Sequence, residues 1–468
     1  MDVQKNKKYV ENLWNTSIVP TLEEYIRIPN KSPMFDTDWK ANGHMDKAVS
    51  LLVKWCEQQA IPDMKLEVVE LQGRTPVIFI EIPGKSDKTV LLYGHLDKQP
   101  EMTGWDNDLG PWKPVIKEDK LYGRGGADDG YSTFASLAAI KSLHDQNIDH
   151  ARCIILIEAC EESGSKDLPF YIDALEKQIG QPDLIICLDS GCGNYNQLWM
   201  TTSLRGLVGG VLTIEILKQG VHSGNGSGIV PSCFMVLREL LDRIEDKTSG
   251  KILLKDLFVD IPMQRKQQAE FCSDVLKDEV YSFPFVEGVK PVSENLSELI
   301  LNRTWRPALS IIGIDGFPKP ENAGNVTIPS AKIKLSMRIP PMCDAKNALL
   351  VLKETFEKNP PFGAKIHFEM KEASSGWNAP AEDEWLTQAA NTASNNYFGN
   401  DAVYMGEGGS IPFMGMLGKK FPKAQFLITG VLGPESNAHG PNEFLHIPTG
   451  KKLTCCVAEI IYKHYQEG

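Results

Sequence analysis

The chain of 468 residues is 42% hydrophobic and 24% charged, which is the composition of a folded globular protein. Its formal net charge of −12 argues against a nucleic-acid-binding surface, because such a surface needs clustered lysine and arginine. No apolar run approaches the roughly 20 residues of a membrane-spanning helix, and the amino terminus lacks the apolar core of a signal peptide.

The amino-terminal part of the chain predicts helices that alternate with strands. Val10, Leu13, Trp14 and Ile18 recur at helical spacing, whereas residues 89–93 form a short apolar run typical of a buried strand. In chain order, we expect helices at 1–30 and 44–59, strands at 65–70, 76–82 and 89–93, and a helix at 131–143.

Two later strands share a feature with the one at 89–93: each is a continuous apolar run that leads into acidic residues. Residues 152–157 lead into Glu161-Glu162, and residues 184–188 lead into Asp189. Continuous apolar runs with helices between them are typical of strands buried on both faces of a parallel sheet. Ligands of such sheets bind beyond the carboxyl ends of the strands, so we expect these acids to meet there.

The pattern changes near residue 206, where strands and helices follow in the order β-α-β-β-α-β of a ferredoxin-like unit. The predicted segments are strands at 209–217, 309–314, 331–339 and 365–372, helices at 229–245 and 344–358, and a polar insertion at roughly 250–308. A chain this long exceeds what one hydrophobic core supports, so we expect two domains. We predict an α/β catalytic domain with a mainly parallel sheet flanked by helices, built from residues 1–205 and 379–468. An α+β ferredoxin-like domain, residues 206–378, is inserted into it.

The ten cysteines are scattered and include no Cys-x-x-Cys pair. This argues against a thiolate zinc ribbon and against a thioredoxin-type redox site. Cysteine serves most often as a small buried hydrophobic residue. We therefore expect a reducing, cytoplasmic setting.

Two motifs near the amino-terminal strands carry residues suited to metal binding. His95 and Asp97 directly follow the strand at 89–93, where an imidazole can ligate a metal while a carboxylate fixes its orientation. Asp128 and Asp129 end a glycine-rich turn before a helix; that turn lacks the lysine of a P-loop, and its acids would repel a phosphate. Each motif alone also fits ordinary capping. Beside the other acids, a metal-bridging carboxylate is the better interpretation of Asp128.

Glu161-Glu162 and the loop at 433–443 complete the set. Neighbouring residues at a strand end point in different directions, so one glutamate can bind metal while the other faces a water, which suits metal-assisted hydrolysis. The loop is rich in Gly, Pro and Asn and exposes His439 to a cleft. Surface glutamate pairs and loop histidines are common without a function, so the argument depends on all the motifs together.

Taken jointly, these motifs resemble the dinuclear metallopeptidases that include carnosine dipeptidases, aminoacylases, glutamate-releasing carboxypeptidases and succinyl-diaminopimelate desuccinylase. The motifs are Gly94-His95-Leu96-Asp97, Gly123-Arg124-Gly125-(x2)-Asp128-Asp129, Glu161-Glu162-Ser163-Gly164-Ser165, Asp189, and Ala438-His439-(x2)-Asn442-Glu443. The cytosolic nonspecific dipeptidase branch is the most similar. It matches through Gln99-Pro100, Gly104-Trp105, Leu204-Arg205-Gly206 and Glu407-Gly408-Gly409-Ser410-Ile411-Pro412.

The resemblance implies two divalent metal ions, one bridging carboxylate and two further ligands for each metal. The implied ligands are Asp128 as the bridge, His95 and Asp189 on one metal, and Glu162 and His439 on the other. Asp97 would orient His95, and Glu161 would act as the general base and then as the acid. Three protein ligands per metal leave a position for water, and this thiolate-free set suits Zn²⁺ and also Mn²⁺.

The same resemblance makes the middle domain a lid that carries homodimerisation. His222 would reach the active site of the other protomer and stabilise the oxyanion, and Arg338 would hold the terminal carboxylate of the substrate with its planar fork. Ser410 and Glu407 would line the same pocket. Asn325 is a further candidate, although its spacing to Pro329 is one residue longer than the family pattern.

Two departures from the family pattern affect no ligand position. Gly130-Tyr131 replaces the usual Lys-Gly after the aspartate pair, and Lys98 replaces an apolar residue of the dipeptidase branch. We therefore expect the chemistry to survive, with substrate preference or helix docking as the properties that could change.

These inferences predict a hydrolase that cleaves dipeptides or short amides with a free carboxylate, by attack of a water held between two metals. An N-acyl-amino-acid deacylase or a carboxypeptidase is the alternative within the same class. A binding or scaffold protein without metal is the alternative from another class, and the presence of every expected ligand argues against it.

Overall fold

The computed structural model describes residues 1–467, and the chain divides into two compact units. The first unit contains residues 1–201, 379–404 and those from 416 onward, and the second contains residues 202–378 and 405–415. The second unit differs from the expected insertion by taking in 405–415. One reason is that Arg205 binds this segment through its backbone N–H to the Glu407 carbonyl (3.3 Å) and through Nε to the Gly408 carbonyl (3.2 Å).

The helices lie at the following positions: α1 Val3–Leu13, α2 Val19–Ile26, α3 Trp39–Asn42, α4 His44–Gln58, α5 Tyr131–Asp145, α6 Leu168–Ala174, α7 Glu176–Ile179, α8 Ser223–Gly226, α9 Cys233–Asp242, α10 Met263–Leu276, α11 Leu296–Thr304, α12 Ala345–Glu357, α13 Glu384–Tyr397, α14 Pro412–Lys420 and α15 Ile447–Gln466. In the described part of the chain, no helix is both long enough and apolar enough to cross a membrane.

The strands lie at the following positions: β1 Lys65–Val69, β2 Val77–Ile82, β3 Thr89–His95, β4 Val115–Lys117, β5 Lys120–Tyr122, β6 Arg152–Glu158, β7 Leu184–Cys187, β8 Trp199–Leu204, β9 Gly206–Glu215, β10 Val221–His222, β11 Ala308–Asp315, β12 Val326–Thr327, β13 Ser330–Ile339, β14 Lys365–Ser374, β15 Trp377–Asn378, β16 Val403–Glu407, β17 Gln425–Ile428 and β18 Phe444–His446.

The helix expected at 1–30 is interrupted by a wider turn at Trp14–Ile18. Asp2 begins α1 by accepting hydrogen bonds from the N–H groups of Gln4 (2.9 Å) and Lys5 (3.0 Å), as an N-cap does. Pro20 lacks the N–H that would continue the α-helical ladder, which is consistent with the wider turn before α2.

The first unit is built on a six-stranded sheet in the order β1-β2-β6-β3-β7-β17. The pairs β6–β3, β3–β7 and β7–β17 are parallel, while β1–β2 and β2–β6 are antiparallel. All residues of β3 and β7 are buried, as expected for strands covered on both faces. The expected mainly parallel sheet flanked by helices is confirmed, with antiparallel pairing on one side.

The second unit contains a four-stranded antiparallel sheet in the order β11-β13-β9-β14. Along the chain, its elements follow the predicted β-α-β-β-α-β order, with α9 after β9 and α12 after β13. A separate hydrophobic core lies beneath it and includes Val208, Val236, Met337 and Phe356. The expected α+β fold of the middle segment is therefore the one observed, with α10 and α11 in the insertion between α9 and β11.

Candidate metal centre

The carboxyl ends of three neighbouring parallel strands bring the candidate metal ligands of the first unit to one edge of the sheet. His95 is the last residue of β3, Glu161 and Glu162 follow β6, and Asp189 follows β7. Parallel strands end on the same side, and this edge is where ligands of such sheets bind. The register of the strands thus explains why residues far apart in sequence lie together.

His95 is completely buried, and its ring is held in one orientation. Its Nδ1 lies 3.0 Å from the backbone carbonyl of Asp97, an acceptor that requires the proton on Nδ1. Nε2 lies 3.4 Å from Asp128 Oδ1 and 3.7 Å from Asp189 Oδ2, with no hydrogen-bond partner among the described residues. A ring whose Nδ1 is held by a carbonyl and whose Nε2 faces carboxylates is oriented as in a metal ligand.

The Asp97 side chain holds the turn after β6 and also lies near the His95 ring. Its Oδ1 accepts the N–H of Glu161 and its Oδ2 accepts the N–H of Glu162, both at 3.0 Å. Its Oδ1 is 3.5 Å from His95 Nδ1, which is farther than the 3.0 Å between this nitrogen and the Asp97 carbonyl. The Asp97 backbone therefore orients the imidazole, and its carboxylate fixes the turn that carries the two glutamates.

Asp128 lies between the two candidate histidines. Its Oδ2 is 3.0 Å from Nε2 of His439, which is half exposed, and its Oδ1 faces His95. His439 Nε2 also lies 3.4 Å from Glu162 Oε2, and that oxygen accepts a 2.5 Å hydrogen bond from Gln99. The five predicted ligands therefore lie around one small region, with Asp128 between the others.

Two groups of ligand atoms are close enough to hold a cation. In each group, one atom per residue lies within 4.8 Å of the others: His95, Glu161 and Asp189 form one group, and His95, Asp128 and Glu162 form the other. Glu161, the expected base, therefore lies near enough to His95 and Asp189 to bind a cation together with them, as well as to face a water.

The electrostatics of this cluster fit a divalent cation. Burial and the neighbouring Asp189 raise the pKa of Glu161, and burial and Asp128 raise the pKa of Glu162. Burial also raises the pKa of Asp189, to about 6, although His95 opposes it. Several acids therefore resist ionising together, and Glu162 Oε1 and His95 Nε2 are buried without partners. A bound cation would offset the repulsion among the carboxylates and would give the unpartnered atoms something to bind.

For Asp128, the neighbouring histidines outweigh burial, and the pKa falls instead of rising. Burial alone would raise the pKa of this carboxyl group, but the imidazoles of His439 and His95 lower it below its usual range. Among Asp128, Glu161, Glu162 and Asp189, Asp128 is therefore the carboxylate that ionises most readily.

A buried ion pair that the sequence reasoning did not single out ties the His439 loop to the Asp128 turn. Arg124 Nη1 lies 2.6 Å from Glu443 Oε2, and both side chains are almost completely inaccessible. Glu443 Oε1 also accepts the N–H of Gly125 (2.9 Å), and Arg124 Nη2 donates to the Gly440 carbonyl (2.7 Å). Both residues belong to the motifs shared with the metallopeptidases, and this membership is the sequence feature that could have identified them. That they pair with each other is visible only in the fold.

Two further buried acids support the same edge. Asp129 Oδ2 accepts the N–H of His95 at 3.2 Å. Glu158, at the end of β6, accepts hydrogen bonds from Tyr93 (2.6 Å) and Ser165 (2.8 Å) through one oxygen. The predicted strand ended at residue 157, one residue before Glu158, and the sequence gave no sign of these contacts.

Lys98 has a structural position that its sequence neighbours did not reveal. Its side chain is completely buried, and its ammonium group donates to the carbonyls of Tyr25 (2.7 Å) and Ile28 (2.8 Å). The Nζ atom also lies 3.8 Å from the centre of the Tyr25 ring, within cation–π distance. Lys98 therefore fastens the chain after α2 to the loop that follows His95.

The expected substrate residues lie in the second unit. His222 is exposed in β10, where it pairs with Val326, and its Nδ1 accepts the N–H of Gly224 at 3.1 Å. The Asn325 carbonyl accepts the N–H of Ser223 at 2.8 Å, which places Asn325 beside the His222 ribbon. Arg338 is partly buried near the end of β13, Glu407 ends β16, and Ser410 follows Glu407 in the loop before α14.

Comparison with known proteins agrees with this geometry. The sequence model described as "Peptidase family M20/M25/M40" matches residues 91–463. The cysteinylglycine-S-conjugate dipeptidase of Corynebacterium striatum is 25% identical over 372 residues, which cover 78% of this chain and 79% of that protein. The Cys-Gly metallodipeptidase dug1 of Schizosaccharomyces pombe is 28% identical over 398 residues, which cover 79% of each chain.

The fold has solved counterparts over its whole length. The crystal structure of human carnosine dipeptidase 1 is similar with a TM-score of 0.75 and 21% sequence identity, and the match covers 99% of each chain. Because the match includes both units, the insertion of an α+β unit into an α/β unit is an architecture that this chain shares with it.

Proposed function

Because the chain belongs to peptidase family M20/M25/M40, we propose that it is a metal-dependent dipeptidase that hydrolyses the amide bond of dipeptides or short peptides with a free terminal carboxylate. The observation that carries the proposal is the convergence of His95, Asp128 and Glu162, with Asp189 and His439, at the carboxyl edge of the sheet. Relatives named as Cys-Gly and cysteinylglycine-conjugate dipeptidases support the dipeptide as the substrate class.

We assign the metal ligands as the family resemblance implies. Asp128 would bridge two cations, with His95 and Asp189 on one and Glu162 and His439 on the other. When bound, the two cations would supply Lewis acidity that lowers the pKa of a water and polarises the substrate carbonyl. Imidazole and carboxylate ligands without thiolate favour Zn²⁺, with Mn²⁺ as the other candidate.

The chain's own residues would move the proton and hold the substrate. Glu161 would take a proton from the attacking water and deliver it to the leaving amine, a task helped by burial, which raises the pKa of this carboxyl group. The hydrogen bond between Asp97 and the Glu161 N–H would keep the base in place. In the second unit, Arg338 would bind the terminal carboxylate, with Ser410, Glu407 and Asn325 lining the pocket, and His222 would stabilise the oxyanion.

Replacing Glu161 by Gln tests the assigned base. The amide cannot accept the proton, so we expect kcat to fall by roughly 10²–10⁴-fold, the range typical of a general base. Metal content, measured by elemental analysis, should stay near that of the unaltered protein. The exposed helix residue Glu57, changed to Gln, is the matched control and should keep full activity. Full activity of the Glu161 variant would contradict the mechanism.

A substrate panel separates the dipeptidase from its alternatives. We expect the protein loaded with Zn²⁺ or Mn²⁺ to hydrolyse Cys-Gly or β-Ala-His faster than N-acetyl and N-succinyl amino acids. Faster hydrolysis of the acylated amino acids would favour the deacylase. No hydrolysis together with no stoichiometric metal would favour a binding protein.

We also propose a homodimer formed through the second unit. Its outer strand β11 presents Ile311, Ile312 and Ile314 about half exposed, although the outer strand of a soluble sheet is usually protected by charge or by pairing. Sedimentation should therefore give twice the chain mass. A monomer under all conditions would exclude the dimer and the action of His222 in the site of the other protomer.

A cytoplasmic location is part of the same proposal. All ten cysteines are free and buried, which supports a compartment where thiols stay reduced. Microscopy of the tagged protein in its own cells would test this.

A further inference from the structure

Three arginines of the second unit have no acidic partner within ion-pair distance among the described residues. Arg205 is only 8% exposed, and Arg303 and Arg338 are partly buried. Arg306, three residues from Arg303, shows the ordinary arrangement, because its Nη1 lies 2.6 Å from Glu298 Oε2. Burying a guanidinium without a counter-charge is unfavourable, so three of them in one unit require a reason.

Arg205 and Arg303 lie beside the loop that follows β16, and Arg338 lies near Arg205. Arg205 Nε donates to the Gly408 carbonyl at 3.2 Å. A Cβ atom on Gly408 would stand 3.2 Å from Arg205 Nη2 and 3.3 Å from Arg303 Cγ, so both side chains contact this glycine. Arg338 is paired across β13 and β9 with Leu207, two residues after Arg205. After burial, the charges of Arg338 and Arg303 are what lower the pKa of Arg205, to about 10.

The cluster has hydrogen-bond donors to spare. Besides the bond from Nε to Gly408, the Arg205 side chain donates to described residues only through Nη1, to the carbonyls of Asn302 (3.3 Å) and Arg306 (3.4 Å), which are neutral acceptors. Its Nη2 binds no described residue. Within the same described part of the chain, the Arg338 side chain donates no hydrogen bond, and the Arg303 side chain donates only to the sulfur of Met405 (3.2 Å). A pocket with unused guanidinium donors is equipped to receive an anion.

The balance of charge indicates how much anionic charge the cluster can accept. Glu407 is the acid close to Arg303, whose charge opposes the rise that burial produces in the pKa of this carboxyl group. Glu372, near Arg338, also lies 3.9 Å from Lys334 and shares its charge with that lysine. Three guanidinium groups against Glu407 leave about two positive charges. One terminal carboxylate neutralises one of them.

We infer that the second positive charge binds a second carboxylate of the substrate. The site then takes dipeptides whose carboxyl-terminal residue has an acidic side chain. This inference rests on the proposed function. Arg338 binds the terminal carboxylate, and Arg205 and Arg303, which both contact Gly408, bind the side-chain carboxylate. Arg205 also positions the loop, since its other N–H groups hold the carbonyls of Gly408, Asn302 and Arg306.

The first test compares two substrates of nearly equal shape, Ala-Glu and Ala-Gln, with the metal-loaded protein. We expect kcat/KM for Ala-Glu to exceed that for Ala-Gln by at least about 10-fold, because a desolvated guanidinium favours a carboxylate over an amide. Equal values, or a preference for Ala-Gln, would overturn the inference while leaving the dipeptidase intact.

Replacing Arg303 by Gln tests the assignment of the residues. Arg205 holds three backbone carbonyls, so its removal risks the fold, whereas the Arg303 side chain donates, among the residues described, only to Met405. We expect the Arg303→Gln variant to lower the ratio of the two kcat/KM values by at least about 5-fold. Arg306→Gln removes a neighbouring, already paired charge and should leave the ratio unchanged. An unchanged ratio in the Arg303 variant would contradict the inference.

A binding measurement keeps the two proposals separable. Calorimetric titration of the protein with free L-glutamate and with L-glutamine requires no hydrolysis. Tighter binding of glutamate, lost in Arg303→Gln, would support the anion site even if no dipeptide were cleaved and the proposed function failed. Equal affinities for the two amino acids would overturn the site.

Discussion

At the scale of single residues, some buried charges of the first unit outside the acidic cluster are matched by specific partners. Arg124 and Glu443 pair directly, and Lys98 has two carbonyl acceptors and an aromatic ring. His464, near the end of α15, is different. It is only 2% exposed, and neither of its ring nitrogens has a hydrogen-bond partner among the described residues. Its environment therefore favours the neutral ring.

Stability should fall in acid partly because of His464. Burial, helped by Lys88 and opposed by Asp183, lowers the pKa of His464 to about 4, whereas an unfolded histidine titrates near 6.5. As the pH falls, His464 is therefore protonated in the unfolded chain before it is protonated in the folded one. The resulting loss in the free energy of unfolding is absent above about pH 6.5, grows as the pH falls to about 4, and reaches about 3 kcal/mol.

Urea unfolding at pH 7 and pH 5 measures this effect. The His464→Leu variant is the control, because it retains every other titrating group and removes only this one. We expect the variant to lose less stability than the unaltered protein between the two pH values. Equal losses would exclude the histidine as a contributor.

At the scale of elements, close packing depends on residues that lack a side chain at the contact. Gly450 lies in the first turns of α15, where the Trp14 ring covers it so closely that an added Cβ atom would overlap the ring. The indole Nε1 donates to Thr454 Oγ1 at 3.1 Å, which holds the ring against the helix. Trp14 begins the wider turn between α1 and α2, so this contact locks the amino-terminal helices onto α15.

Gly450→Ala should therefore destabilise the protein, although alanine is the better helix former. We expect a loss of about 1–3 kcal/mol from overpacking, measured as a lower melting temperature. Gly415→Ala in α14 is the matched control, since no atom lies within 4 Å of its added Cβ, and it should stabilise by up to about 1 kcal/mol. A rise in melting temperature for both variants would show that Trp14 can move aside.

The elements themselves were largely predictable because their patterns are local. The buried strands β3, β6 and β7 are continuous apolar runs, and α12 and α15 have clear helical spacing. The turn at Trp14–Ile18 was not predicted, because the apolar spacing continues through it. The ribbon of β10 and β12 was missed because two-residue strands leave no pattern to read.

At the scale of the whole molecule, the acidic cluster couples metal binding to folding. Glu161, Glu162 and Asp189 are buried close together, and their mutual repulsion destabilises the chain when no cation is present. Metal that binds the folded chain stabilises it by an amount that grows with the concentration of the metal relative to its Kd.

Removing the metal with a chelator should lower the melting temperature, and added Zn²⁺ or Mn²⁺ should restore it. At a metal concentration 1,000 times the Kd, the expected stabilisation is about 4 kcal/mol. His439 is half exposed, so His439→Ala should fold yet show a smaller metal-dependent shift, whereas Glu57→Gln should behave like the unaltered protein. Identical melting temperatures with and without metal would contradict the metal assignment.

The sequence alone predicted the fold class, because apolar periodicity records which strands are buried, and it predicted the candidate ligand set through the resemblance of its short motifs to a metallopeptidase family. The tertiary structure alone decided which atoms meet. Only in the fold does the Asp97 carboxylate bind the glutamate turn, Lys98 cap the end of α2, and Arg205 approach Arg303 and Arg338. Such contacts join residues far apart along the chain. They could not be predicted because contacts of this kind produce no local pattern in the sequence.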